Sequence, residues 1–262
     1  MADRREDAMS LDPGAAWDDA APAWDTFVEN GDDYYRTEVH GPALLAACEP
    51  VAGRRVLDLG CGQGWFSRQL GRRGAQVVGI DISAAQIAHA RRHETIDPLG
   101  ITFQQLDAAR IGTRWPPASF DLVTACLVLH DLPDATAVLA GARDVLVPAG
   151  RFVFSILHPF TDVPSHAWEP DESGQSGGLT IDRYFDLGPR LVHWDMPRLT
   201  AFWDSPSWHR TLTEWSALIA EAGLRIRRLS EPRPTPEQVA RFPQFEPATR
   251  LPYFLICDLA RE

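Results

Sequence analysis

An apolar run that meets an acidic residue and opens into three glycines, Val56-Leu57-Asp58-Leu59-Gly60-Cys61-Gly62-Gln63-Gly64, constrains this 262-residue chain more than any other feature. A short apolar run bounded by turn residues reads as a buried strand. Glycine lets the backbone that follows turn sharply and lie close against a ligand. A second apolar strand, Gln76-Val77-Val78-Gly79-Ile80, ends in Asp81. An acidic side chain at the end of the next strand, about 20 residues beyond the loop, is placed to accept both hydroxyls of a ribose. The combination predicts an α/β domain that binds an adenosine-containing cofactor.

The nicotinamide fingerprint Gly-x-Gly-x-x-Gly would put glycine at 65, where this chain has Trp65, too bulky for the close helix–strand contact. A phosphate-binding loop is excluded because no Gly-Lys-Ser/Thr follows. The spacing Asp58-x-Gly60-x-Gly62-x-Gly64 resembles motif I of the class I S-adenosylmethionine-dependent methyltransferases. Further stretches are similar to that family in the expected order. They are Ile101-Thr102-Phe103-Gln104-Gln105-Leu106-Asp107-Ala108, then Phe120-Asp121-Leu122-Val123-Thr124-Ala125-Cys126 followed by Leu127-Val128-Leu129-His130-Asp131, then Leu146-Val147-Pro148-Ala149-Gly150 leading into a fifth strand. Ala149 stands where the family has a first glycine.

The resemblance implies a doubly wound, mostly parallel seven-stranded sheet of order 3-2-1-4-5-7-6, with S-adenosylmethionine as cofactor and S-adenosylhomocysteine as product. It implies that Gly60, Cys61, Gly62 and Gly64 lie along the cofactor, and that the Asp58 carboxylate suits its ammonium group. Asp81, with Ile82 beside it, would hold the ribose. Asp107 would receive the adenine amino group, with the Ala108 amide at the ring, and Cys126 and Leu127 would face the methionine part. Tyr34, within Tyr34-Tyr35-Arg36, would fold over the cofactor from an N-terminal helical lid.

Composition narrows the acceptor. The formal charge is −11, with 36 acidic against 25 basic residues, whereas nucleic-acid substrates call for a basic surface. No stretch of 18 or more apolar residues is present, so no membrane span is expected. The N-terminus lacks the apolar core of a secretion signal, and Cys48, Cys61, Cys126 and Cys257 show no metal-type pairing. A cytoplasmic enzyme with reduced thiols and no metal is expected, as a monomer or homodimer.

The expected organisation is a disordered tail over 1–12, a helical lid over 13–51, and the methyltransferase domain over 52–262 with an insertion at 158–209. That insertion shows no clear periodicity but is rich in aromatics, and long loops in compact domains are usually functional. It is expected to cap an apolar acceptor pocket built from Trp168, Tyr184, Trp194 and Trp203, with Tyr35 from the lid. Candidate bases are His158, directly after the fifth strand, His130, past the fourth, and Glu169 in the cap. The resulting expectation is N- or O-methylation of a small, largely apolar metabolite. Alternatives are C-methylation through a ring-stabilised carbocation, protein methylation in an open groove, and a non-catalytic cofactor-binding protein.

Overall fold

A computed structural model describes residues 12–170, 176–194 and 203–261. The tail expected over 1–12 lies outside it except for Asp12, whose carboxylate accepts the Gly14 N–H at 2.9 Å and so caps the first helix. That cap and a proline at the first helical position open helix α1 (Pro13–Glu29). A π-helical turn, Arg36–His40, leads into α2 (Gly41–Cys48).

The alternating core follows: β1 (Arg55–Leu59), α3 (Trp65–Gly71), β2 (Gln76–Asp81), α4 (Ala84–Ile96), β3 (Thr102–Gln105), α5 (Ile111–Arg114), β4 (Phe120–Cys126), α6 (Ala135–Val145) and β5 (Leu146–Leu157). Val56, Leu57 and Leu59 of β1 are wholly buried, because helices cover both faces of a parallel sheet. Leu44, Phe66, Leu70 and Ile87 pack one face, and Leu139, Val145, Trp215 and Ile219 pack the other.

After the fifth strand the chain leaves the sheet. The described residues of 158–209 form two antiparallel strand pairs, β6 (Ser165–Pro170) with β7 (Ser176–Asp182), and β8 (Gly188–Trp194) with β9 (Trp203–His209). Pro170, Pro189 and Pro206 lie within these strands and break the alternation by which hairpins announce themselves. The buried His209 ring stitches the insertion together, its two nitrogens lying 2.8 Å from the Asp162 and Tyr184 carbonyls. Arg190 of β8 pairs with Asp162, and β9 packs on α1.

The Thr211–Glu214 capping box opens α7 (Leu212–Glu221). The chain then returns through β10 (Leu224–Ser230), α8 (Pro236–Arg241), a 3₁₀ turn at Pro243–Thr249, and β11 (Phe254–Arg261). The sheet order is β10-β11-β5-β4-β1-β2-β3, with β11 antiparallel to both neighbours. Counting only strands of this sheet, that is 3-2-1-4-5-7-6. Among the described residues no helix is long and apolar enough to cross a membrane.

Candidate active site

A cavity of about 410 Å³ opens at the carboxyl ends of β1, β2 and β4, where ligands of open α/β sheets bind. Gly60 and Gly62 line it, both in the left-handed region at φ +57° and +54°. A Cβ on Gly60 would lie 2.4 Å from Val128 Cγ2, whereas one on Gly62 would meet nothing nearer than Gln86 Oε1 at 3.7 Å. The Gly62 N–H donates to Asp81 Oδ2 at 2.8 Å, and the Ser83 N–H donates to Oδ1 at 2.9 Å. These two bonds aim the Asp81 carboxylate along the cavity wall.

Burial pushes the Asp81 carboxyl up to about 6, against the two backbone N–H groups that favour its anion. The carboxyl therefore adds stability to the unliganded fold at low pH, which is lost as pH rises through about 6. A protonated carboxyl no longer accepts two hydroxyls as a charged group. Cofactor affinity is thus expected to fall about tenfold from pH 7 to pH 5. Titration of S-adenosylhomocysteine at both pH values checks this, and equal affinities would remove Asp81 as a titrating contact.

Asp58 departs from the role its spacing suggests. It does not line the cavity but is fully buried beneath the loop, accepting Ser67 Oγ–H at 2.6 Å and Thr124 Oγ1–H at 2.8 Å. Its oxygens fasten β1 to α3 and β4 and leave no direct approach for an ammonium. Burial raises its carboxyl to about 6. Cys61 and Gly64 also lie behind the wall, Gly64 against Phe103. Ile82, Asp107, Ala108, Cys126, Leu127 and Tyr34 all line the cavity. Leu127 does so at φ +58°, a conformation a branched side chain seldom adopts outside strained functional turns.

The lid supplies most of the aromatic wall: Trp17, Trp24, Phe27, Tyr34 and Tyr35 face the cavity. It is fastened to α4 at two points. Asp18 accepts Ser83 Oγ–H and the Ala85 N–H, and Asp25 meets His89, Arg92 and His93. Arg92 occupies the space between Asp25 and Glu29 where a cation would otherwise sit. Phe242 and Phe245 back Tyr34 and Tyr35 from behind.

Of the expected acceptor residues of the insertion, Trp168 and Tyr184 lie elsewhere. Tyr184 is absent from the cavity wall, its hydroxyl accepting the Leu212 N–H at 3.0 Å. Trp168 lines a second hollow of about 220 Å³, which shares Leu157 and Phe254 with the main cavity. The side chains of Trp194 and Trp203 lie outside the described residues. Glu169 is exposed, accepts the Thr180 hydroxyl from the facing strand, and is not among the residues lining the cavity.

The two histidines separate clearly. His158 does not line the cavity: its Nδ1 accepts the Phe160 N–H at 3.1 Å and its Nε2 lies 3.0 Å from Glu231. Both nitrogens are engaged. His130 lines the cavity, is 5% exposed, and its Nδ1 has no hydrogen-bond partner among the described residues. Burial lowers it to about 4, with the Arg190 and Arg210 charges acting the same way against Asp162, so it is neutral at pH 7. Asp131 beside it also lines the wall, as do Gln86, Leu157 and Phe254. Sequence reasoning missed these four; only Asp131 carried a signal, as an acid next to the His130 already singled out.

S-adenosylmethionine fits these residues. Asp81 is shaped for a ribose. Arg36, whose Nε pairs with Asp33 at 2.8 Å and whose guanidinium lies 4.9 Å from the Trp65 ring centroid, has a buried Nη2 with no hydrogen-bond partner among the described residues, suited to an amino acid carboxylate. The Gln86 side-chain amide is buried in the wall and likewise has no partner among the described residues.

Comparison with known proteins agrees. Residues 57–154 match the family described as "Methyltransferase domain". A crystal structure of an S-adenosylmethionine-dependent methyltransferase from Mesorhizobium loti is 33% identical, with TM-score 0.71, covering 84% of this chain and 96% of that one. Ubiquinone biosynthesis O-methyltransferase of Ralstonia nicotianae is 35% identical over 44% of this chain and 48% of its own length. The Nitrosococcus oceani enzyme of that name is 37% identical over 41% and 45%. This chain thus spans about half the length of the curated relatives it matches.

Proposed function

The chain belongs to the class I S-adenosylmethionine-dependent methyltransferases, and we propose that it methylates a hydroxyl group on a small, largely apolar acceptor, releasing S-adenosylhomocysteine. The observation that carries this reading is the carboxylate of Asp131, beside His130 on the wall of a cavity with many aromatic side chains, a few residues past Cys126 and Leu127. Transfer to oxygen requires a proton to leave, and a general base in the wall takes it. The names of the curated relatives support oxygen over nitrogen.

Bound S-adenosylmethionine supplies a methyl group on positively charged sulfur. The chain's own residues do the rest. Asp81 and Gly62 orient the adenosine half and Arg36 anchors the amino acid end. Trp17, Trp24, Tyr35 and Phe254 exclude water and hold the acceptor in line, which supplies much of the acceleration in such displacements. Residues 13–51 serve as the lid, and the described parts of 158–209 brace the turn after β4 through β9. The acidic surface and free cysteines fit a cytoplasmic enzyme with no nucleic-acid partner, working as a monomer or homodimer.

The test is incubation with S-adenosylmethionine and a panel of apolar phenols, catechols and amines, read by mass spectrometry. A methyl ether together with S-adenosylhomocysteine is expected; tight cofactor binding with no product from any acceptor would favour a binding protein instead. His158→Ala is expected to leave cofactor affinity and turnover per folded molecule within about twofold, since the ring faces Glu231 and not the cavity. A large loss of turnover at unchanged cofactor affinity would return His158 to the mechanism.

A further inference from the structure

Asp25, Asp58 and Asp131 are nearly or wholly buried, and the first two each hold two or more strong partners. Asp25 receives His89, Arg92 and His93, and Asp58 receives two hydroxyls. Asp131, 7% exposed, is different. Among the described residues it accepts the Trp17 indole N–H, and the nearest cationic candidate is His130 Nε2 at 3.6 Å from Oδ1, too long for a hydrogen bond and neutral at pH 7. Arg190 exerts its charge on Asp131 but is itself held by Asp162 and the Val163 carbonyl. A carboxylate has about four acceptor sites, and one left short of donors in a buried position is costly unless a ligand completes it.

The turn that carries Asp131 is built to stay still. It is the 3₁₀ segment Leu129–Asp131, closed by the Asp131 N–H on the Val128 carbonyl at 2.9 Å. Strand β9 packs against it, and Arg210 donates to the Leu132 and Pro133 carbonyls. Strand β9 and Arg210 therefore hold the acid in place.

We propose that Asp131 is the residue that receives the acceptor's O–H, so that acceptors are restricted to molecules presenting a hydroxyl donor on an apolar body. This rests on the methyl-transfer reading above. The acceptor oxygen's lone pair forms the new bond to the methyl carbon, the carbon–sulfur pair stays on sulfur, and the hydroxyl proton passes to an Asp131 oxygen before being lost to solvent. His130, alongside, is a neutral neighbour that keeps the carboxylate free of a competing cation. Burial and the Asp162 charge hold the Asp131 carboxyl well above the usual range, against Arg190 and the Trp17 N–H, which brings its basicity toward that of a working base.

The experiment uses 4-butylphenol and 4-butylanisole, which share a body and differ in the hydroxyl proton. Both are titrated calorimetrically into the full chain saturated with S-adenosylhomocysteine. Wild type is expected to prefer the phenol about tenfold, and Asp131→Leu to lose that preference. Asp131→Asn, closest in shape, provides a second variant with an intermediate preference. Equal binding of the two probes to wild type, binding of neither, or a preference that survives in Asp131→Leu would overturn the assignment. Binding of S-adenosylhomocysteine to each protein is measured first, so failure of the cofactor reading is seen separately from failure at Asp131.

Discussion

Asp81→Ala is expected to weaken binding of S-adenosylhomocysteine by about 10²- to 10⁴-fold. The carboxylate already accepts the Gly62 and Ser83 N–H groups, one on each oxygen, and each oxygen keeps a lone pair directed at the cavity. Two hydroxyl bonds to a charged acceptor contribute about 1.5–3 kcal/mol each, and every 1.4 kcal/mol is about tenfold in affinity. The alanine variant also leaves the Gly62 N–H without its acceptor, so the loop loses the bond that sets its path. Asp81→Asn keeps one oxygen and the shape but loses the charge, and should fall between. Calorimetric titration of the three proteins measures the effect, with thermal melting as a check on folding. An alanine variant that binds within about threefold of wild type would remove the ribose assignment, and with it the placement of adenosine across the loop.

What could be read from the chain and what could not follow from how far apart the interacting groups lie. The loop and Asp81 were legible because a strand, its turn and the next strand's end are joined by short connections, so spacing alone places them. Asp58 belongs to the same motif, yet its partners fix its role, and Thr124 is 66 positions away. No local spacing says that its oxygens are already taken. His130 and His158 have equivalent addresses, each just past a strand end. They differ because Glu231, 73 positions along, closes off one of them. The aromatic richness of 158–209 is plain, but composition carries no direction: among the described residues the aromatic wall comes from α1, Tyr34–Tyr35 and Phe254, with α1 held to α4 by Asp18 and Asp25. Asp131 escaped notice because a lone acid after a histidine is ordinary until the fold shows how few donors reach it.

The second large effect is expected at Gly60, and it tests the geometry of the site without any ligand. Gly60→Ala should destabilise the unliganded protein by about 2–5 kcal/mol, the sum of a left-handed alanine at φ +57° and an overpacked contact. The new methyl carbon would lie 2.4 and 2.5 Å from the two γ carbons of Val128 and 3.0 Å from its Cβ. A β-branched side chain with both arms in contact has no rotamer that clears the space. Val128 cannot retreat cheaply either, because Leu127 before it donates its N–H to the Ser155 carbonyl and Asp131 closes the next turn on the Val128 carbonyl. The strain should therefore pass into the turn that holds His130 and Asp131. For a chain of this size the melting temperature should fall by roughly 10 °C. Gly62→Ala is the matched control: its φ of +54° carries the same backbone cost, but the nearest atom is 3.7 Å away, so about 1–2 kcal/mol is expected. Adding Val128→Ala to Gly60→Ala removes both clashing carbons and should recover the steric part while leaving the backbone part. A Gly60→Ala protein that melts with wild type, or a double variant no better than the single one, would show that the loop and the Val128 turn are not packed as described.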